Sequence, residues 1–332
     1  MIRFFVLFLL FYTKLIAQPK TPEDFGLKVI ETNFKKDKIS YLVLSKKGEE
    51  FVQKPLFFFC QGSGPQPLIK YDGDGMYGIL PFNTDSLTNH FHIVIVSKPS
   101  TPIIENVNNL KNNFQVLDST GTPLKAYSDR NYLEYYVSRN IHILKSLRKE
   151  KWVDSKTLVV AGHSEGSTIA ANMSFSFKKI THLIYSGGNP AGRILSIIQE
   201  ENQKDSDTLS LVKNEMEYWK MVCGDSQNLD NTFGDSNKTT YSFSKNIITN
   251  LLKLKIPVLV TFGSLDWSAP FINLLELESI RAKKNNFTFN GYINTEHNFF
   301  PVDKLRNINY SIYNWDKVGL FWLQWIKKSS HK

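Results

Sequence analysis

Thr157-Leu158-Val159-Val160-Ala161-Gly162-His163-Ser164-Glu165-Gly166-Ser167-Thr168-Ile169-Ala170-Ala171 is the stretch from which the fold can be read. Thr157–Ala161 is short and almost wholly apolar, the pattern of a strand covered on both faces. Beyond Gly166 the spacing changes, and Ile169, Ala170, Met173 and Phe177 recur at helical intervals. A strand therefore turns abruptly into a helix across Gly162-His163-Ser164-Glu165-Gly166, which matches G-x-S-x-G. A serine on so sharp a turn is held in a strained backbone geometry that pushes its hydroxyl clear of the sheet. Gly162 and Gly166 flank it because a side chain at either place would collide with the neighbouring strand or helix. The helix N-terminus adds partial positive charge where an oxyanion would develop. The plainer reading is a loop serine in an ordinary strand–turn–helix, and the rest of the chain weighs against it.

Outward from this turn, strand-length apolar runs alternate with helical patterns, which argues for βαβ units and a mostly parallel sheet. Leu27–Phe34 and Ile39–Leu44 read as an opening antiparallel pair, followed by Leu56–Cys60, Ile93–Ser97, Leu158–His163, Leu183–Ser186, Val258–Phe262 and Phe287–Ile293. Helical faces are carried by Leu133, Tyr136, Val137, Ile141, Leu144 and Leu147, by Phe271–Ile280 behind Pro270, and by Trp315, Val318, Trp322, Trp325 and Ile326. Two stretches break the alternation. Lys98–Arg130 is a Pro/Asn/Thr-rich connection with room for one short helix. Residues 189–255 carry three helical patterns (Ile194–Gln203, Leu209–Val222, Phe243–Leu254) and read as a cap inserted over the sheet's C-terminal edge.

With these motifs on one chain, the sequence resembles the α/β-hydrolase superfamily, and its dienelactone-hydrolase-like and prolyl-oligopeptidase-like branches more than the lipases. The resemblance implies an eight-stranded, mostly parallel sheet with flanking helices and an active site at the strands' C-terminal ends. Gln61-Gly62-Ser63-Gly64-Pro65 follows the third strand, where that family keeps its oxyanion loop. The resemblance makes the N–H of Gly62 or Ser63 one donor and that of Glu165 the other; Gln61 departs from the usual His-Gly. Asp266 follows a late strand in Gly263-Ser264-Leu265-Asp266, where the superfamily carries its acid; an Asp capping the helix behind Pro270 is the structural alternative. His297, in Asn294-Thr295-Glu296-His297-Asn298, lies where a base could reach Ser164. Of the other histidines, His163 should point into the fold. The order Ser164, Asp266, His297 is the one expected for this fold.

The chemistry implied is a serine hydrolase acting through Ser164, His297 and Asp266 on a carboxylic ester, with no metal or organic cofactor. A peptidase on short peptides is the main rival, and an inactive hydrolase fold used as a binding module is the third reading. A peptidase would need an acidic or otherwise specific anchor in the cap; Asp72, Asp74, Asp225, Asp230 and Asp235 are candidates, though solvated loop positions suit them as well. Tyr218, Trp219 and Trp267 are candidates for an acyl pocket or for plain core.

Composition sets the frame. The chain has 332 residues, 42% hydrophobic and 21% charged, which fits a large globular domain. The net charge of +9 includes Arg3 and Lys14 and comes from scattered basic residues, so a solvated basic surface is expected rather than a nucleic-acid site. Arg3, the apolar run Phe4–Tyr12 and Ala17 before Gln18 read as a secretory signal over residues 1–17, leaving 18–332 as the hydrolase domain in a secreted or periplasmic protein. An uncleaved anchor is the alternative, but the run is short of the roughly twenty residues a span requires. Cys60 and Cys223 are the only cysteines, too few for a zinc site, and Cys60 at the end of an apolar strand reads as a buried thiol.

Overall fold

The computed structural model describes residues 20–25, 27–73, 75–203, 208–230 and 234–330. The expected signal segment, 1–17, and Asp74 lie outside the described residues. Eight strands form one sheet: β1 (Val29–Phe34), β2 (Asp37–Leu44), β3 (Lys54–Cys60), β6 (His92–Val96), β8 (Val153–His163), β9 (His182–Ser186), β10 (Val258–Gly263) and β11 (Phe287–Tyr292). Their spatial order is β1-β2-β6-β3-β8-β9-β10-β11. β1, β2 and β6 pair antiparallel in sequence, and every later pairing is parallel.

Parallel strands need covering on both faces, and strand alternation distributes the core accordingly. Leu56, Phe58, Val94, Val160, Leu183 and Val260 face one layer, against which α3 (Leu133–Leu147), α4 (Glu165–Ser176) and α9 (Ala269–Arg281) pack. Phe57, Phe59, Ile93, Ile95, Val159, Ile184 and Leu259 face the other, closed by Trp315, Val318, Trp322 and Ile326 of α10 (Trp315–Ser329). α1 (Asp85–Thr88) and α2 (Lys125–Ser128) are single turns beside these layers.

The two irregular stretches are more ordered than their composition suggests. Residues 98–130 contribute β7 (Ile104–Asn106), which joins β4 (Ile69–Tyr71) and β5 (Met76–Gly78) in a second, three-stranded sheet that the sequence pattern did not announce. Strands of three residues are too short to show a period. Among the described residues the insertion holds four helices rather than three: α5 (Arg193–Asn202), α6 (Thr208–Gly224), α7 (Asn237–Phe243) and α8 (Ile248–Leu252). The Phe243–Leu254 pattern is split by Ser244-Lys245-Asn246, and its second half joins the main core through Ile247, Ile248 and Leu251. Thus the end of the insertion is domain core.

Phe58 has no exposed surface at the middle of the sheet. Phe58→Ala is expected to cost about 3–5 kcal/mol, read as a lower denaturant midpoint with an unchanged slope.

Candidate functional site

The register of the parallel strands sets the site. Cys60 pairs with Gly162, Gly162 with Tyr185, His163 with Ser186, and Gly263 with Tyr292, so these strands end along one edge. Ser164 follows β8 there with φ 56° and ψ −129°, a left-handed conformation that is uncommon for a residue with a Cβ. Its amide donates to Ser186 O at 2.9 Å, and Ser167 Oγ donates to its carbonyl at 2.6 Å. The flanking glycines are there for space. A Cβ on Gly162 would lie 2.1 Å from Gly166 O, and one on Gly166 would lie 2.0 Å from Cys60 O. The helix therefore starts in direct contact with the strand ends, and the serine is thrust outward.

Asp266 and His297 come from the loops after β10 and β11, and the backbone laces those loops together. Ser264 N donates to Tyr292 O at 2.9 Å, Leu265 N to Thr295 O at 2.9 Å, and Asn294 N to Ser264 Oγ at 2.8 Å. Residues 31 apart in sequence thereby meet, with His297 Nδ1 2.9 Å from Asp266 Oδ2. The Asp266 carboxylate is fully buried, and its Oδ1 also accepts from Ser268 N at 2.8 Å. The helix-entry role and the histidine-partner role thus fall on the same side chain. Phe299 pins the histidine loop, wedged with centroid distances of 5.0 Å to Tyr292 and 4.8 Å to Trp315. Trp267 stacks on the His297 ring at 4.8 Å and 20°. Burial opposes the charged imidazolium of His297, but the adjacent Asp266 carboxylate outweighs it and raises the pKa above the ordinary histidine value.

One cavity of about 280 Å³ is lined by Ser63, Ser164, Glu165, Arg193, Trp267 and His297, among others. Ser164 and His297 therefore open onto the same space. No hydrogen bond joins their side chains among the described residues; such contacts commonly close only around substrate. Gly62 sits close enough that a Cβ on it would lie 3.7 Å from Ser164 Cβ. Glu165 opens α4, so its amide has no partner within the helix and is free for an anion. His163 turns inward, its Nδ1 3.0 Å from Ser186 Oγ, and burial first, then the neighbouring His297, holds its pKa well below normal. Cys60 is a buried free thiol pushed up to about 12 by burial. Trp219 stacks on Tyr241 and Tyr218 bonds Thr240, so of the three suspected pocket aromatics Trp267 alone lines this cavity.

The sequence reading missed the charge network behind the serine. Glu165 turns its carboxylate inward to Lys98 Nζ at 2.8 Å and Arg193 at 3.3 Å, and Arg193 reaches Asp235 at 2.8 Å. The side chains of Lys98 and Glu165 are 1% and 4% exposed. Lys98 also lies 4.5 Å from the centroid of the Tyr136 ring. Asp235 is thus a structural partner of Arg193. The available signal was an acidic residue one position after the serine, where the chain enters the core and a carboxylate needs a cation.

By sequence the chain matches no protein-family model and no curated protein. Solved structures resemble it in shape. Uncomplexed Pyrococcus horikoshii acylaminoacyl peptidase superposes with TM-score 0.54 at 13% identity, over 91% of this chain and 41% of that one. Est1E from Butyrivibrio proteoclasticus gives 0.53 at 12% identity, covering 92% and 99%. E-2-(Acetamidomethylene)succinate hydrolase gives 0.51 at 10%, covering 92% and 100%. The fold is that of the α/β-hydrolases. This chain spans about two fifths of the peptidase and nearly the full length of the other two.

Removing Lys98 leaves Glu165 buried with Arg193 alone. Lys98→Met should destabilise the protein by about 3–5 kcal/mol in denaturant titration, and adding Glu165→Gln should recover part of that loss.

Proposed function

We propose that the chain is a serine hydrolase in which Ser164 attacks a carbonyl, His297 is the general base and Asp266 orients it. The observation that carries this reading is the strained, outward-facing serine opening onto one cavity with an imidazole whose Nδ1 is held by a buried carboxylate. With Nδ1–H donated to Asp266, Nε2 of His297 is left to take the Ser164 proton and return it to the leaving group. The amide of Glu165, with that of Gly62 or Ser63, would stabilise the oxyanion, aided by the N-terminus of α4. Water would then release the acyl-enzyme. A carboxylic ester is the proposed substrate, because esters ask least of leaving-group protonation. The same machinery serves an amide, and the acylaminoacyl peptidase among the structural neighbours supports a short peptide as the second reading. Residues 1–17 are proposed as an export signal and 18–332 as the hydrolase domain; among the described residues no helix is long and apolar enough to cross a membrane.

Ser164→Ala should lower turnover of p-nitrophenyl esters by at least ~10³-fold and abolish labelling by a fluorophosphonate. Normal esterase activity in that variant would refute the assignment. The pH dependence of kcat/KM follows from His297. The neutral imidazole is the active form, so activity falls as pH drops through its raised pKa, placing the acid limb above about 6.5. Asp266→Asn removes the largest raising charge and leaves burial opposed only by the more distant carboxylates of Glu296 and Glu200, so its residual activity should show an acid limb at lower pH.

A further inference from the structure

The helix α5 presents Arg193, Ser196, Ile197 and Glu200 to the cavity, residues spaced so that they share one helical face. Their charges are not equivalent. Arg193 is held between two carboxylates, 3.3 Å from Glu165 and 2.8 Å from Asp235. Glu165 is in turn paired with the buried Lys98. That cluster of two cations and two carboxylates is internally compensated, so Arg193 offers little to an anionic substrate. Glu200 differs. It lies two helical turns from Arg193, about 10 Å along the axis, at the solvent side of the cavity. Its carboxylate makes no ion pair or hydrogen bond among the described residues, and its field reaches the His297 ring. Among the described residues it is the one ionisable side chain on the cavity wall with no ion-pair partner, since His297 is held by Asp266.

Trp267, whose ring stacks on His297, and the largely buried Phe243 line the same space and make part of its wall apolar. At about 280 Å³ the cavity is at the small end of ligand sites, large enough for an acyl group of a few carbons with one polar terminus. We infer that this site selects carbonyl substrates bearing an ammonium group, which Glu200 receives at the cavity mouth while Ser164 meets the carbonyl. This rests on the serine-hydrolase reading and names its substrate class. The molecule's net charge of +9 would otherwise repel such a substrate, so discrimination has to come from the cavity itself.

The test compares two p-nitrophenyl esters, one whose acyl chain ends in trimethylammonium and one in which that nitrogen is replaced by carbon. They match in shape and differ in charge, and any effect of a variant on His297 cancels in the ratio of their kcat/KM values. At low salt the native protein should favour the cationic ester by about tenfold, and the preference should shrink as salt is added. Glu200→Gln should bring the ratio close to one, and Glu200→Lys should reverse it. Equal rates in the native protein, or an unchanged ratio in Glu200→Gln, would overturn the inference. Binding of the same two esters to Ser164→Ala protein reports the preference without turnover. A protein inert to both esters that still binds the cationic one more tightly, with the difference lost in Ser164→Ala/Glu200→Gln, would sink the hydrolase reading and keep Glu200 as the selector. Equal binding of both esters would sink Glu200 as selector even where turnover persists.

Discussion

At the end of β8 the chain has no room for a Cβ at two positions four residues apart, and that constraint organises the rest. Gly162 touches the first turn of α4 and Gly166 touches the end of β3. The backbone at Ser164 between them is forced to positive φ, which costs on the order of 1–3 kcal/mol for a residue with a side chain. Only a rigid surround sustains such a conformation. Here the surround is the parallel sheet: the amide of Ser164 is tied to Ser186 O on β9, and Val159, Val160 and Ala161 before it are fully buried. Sheet register thus becomes the position of a hydroxyl group.

The Lys98–Glu165–Arg193–Asp235 network links that turn to the insertion. Glu165 begins α4, Lys98 follows β6, and Arg193 and Asp235 belong to the inserted helices and the loop before α7. Burying two such charges is costly, so the network is poor evidence for added stability. Its effect is orientation. It fixes the face of α5 that lines the cavity, and it consumes the positive charge of Arg193. Among the described residues, the electrostatic character of the cavity is then left to Glu200 and His297.

A second arrangement follows from adjacency in the sheet. β10 and β11 lie side by side in parallel, so the loops after them must meet at the same edge. Hydrogen bonds between residues 264–265 and 292–295 close the gap, and Phe299 holds the far side of the histidine loop among aromatic rings. Asp266 and His297 are partners because the strands carrying them are neighbours.

Local pattern determined much of this protein. Eight short apolar runs, their order, the abrupt strand-to-helix turn and the glycines around Ser164 were all legible, because strand and helix periods and close backbone approach are written in neighbouring residues. Asp266 and His297 could be picked out by their place after apolar strands. What pattern alone left open was decided by contacts between distant segments. The three-stranded side sheet has strands too short to carry a period. The helical run Phe243–Leu254 broke in two because its second half found the core. Nothing along the chain joins Glu165, Lys98, Arg193 and Asp235 to one another. Only folding shows which charges cancel, since compensation depends on separations of a few ångströms between residues up to about seventy positions apart, and sequence spacing holds no record of that.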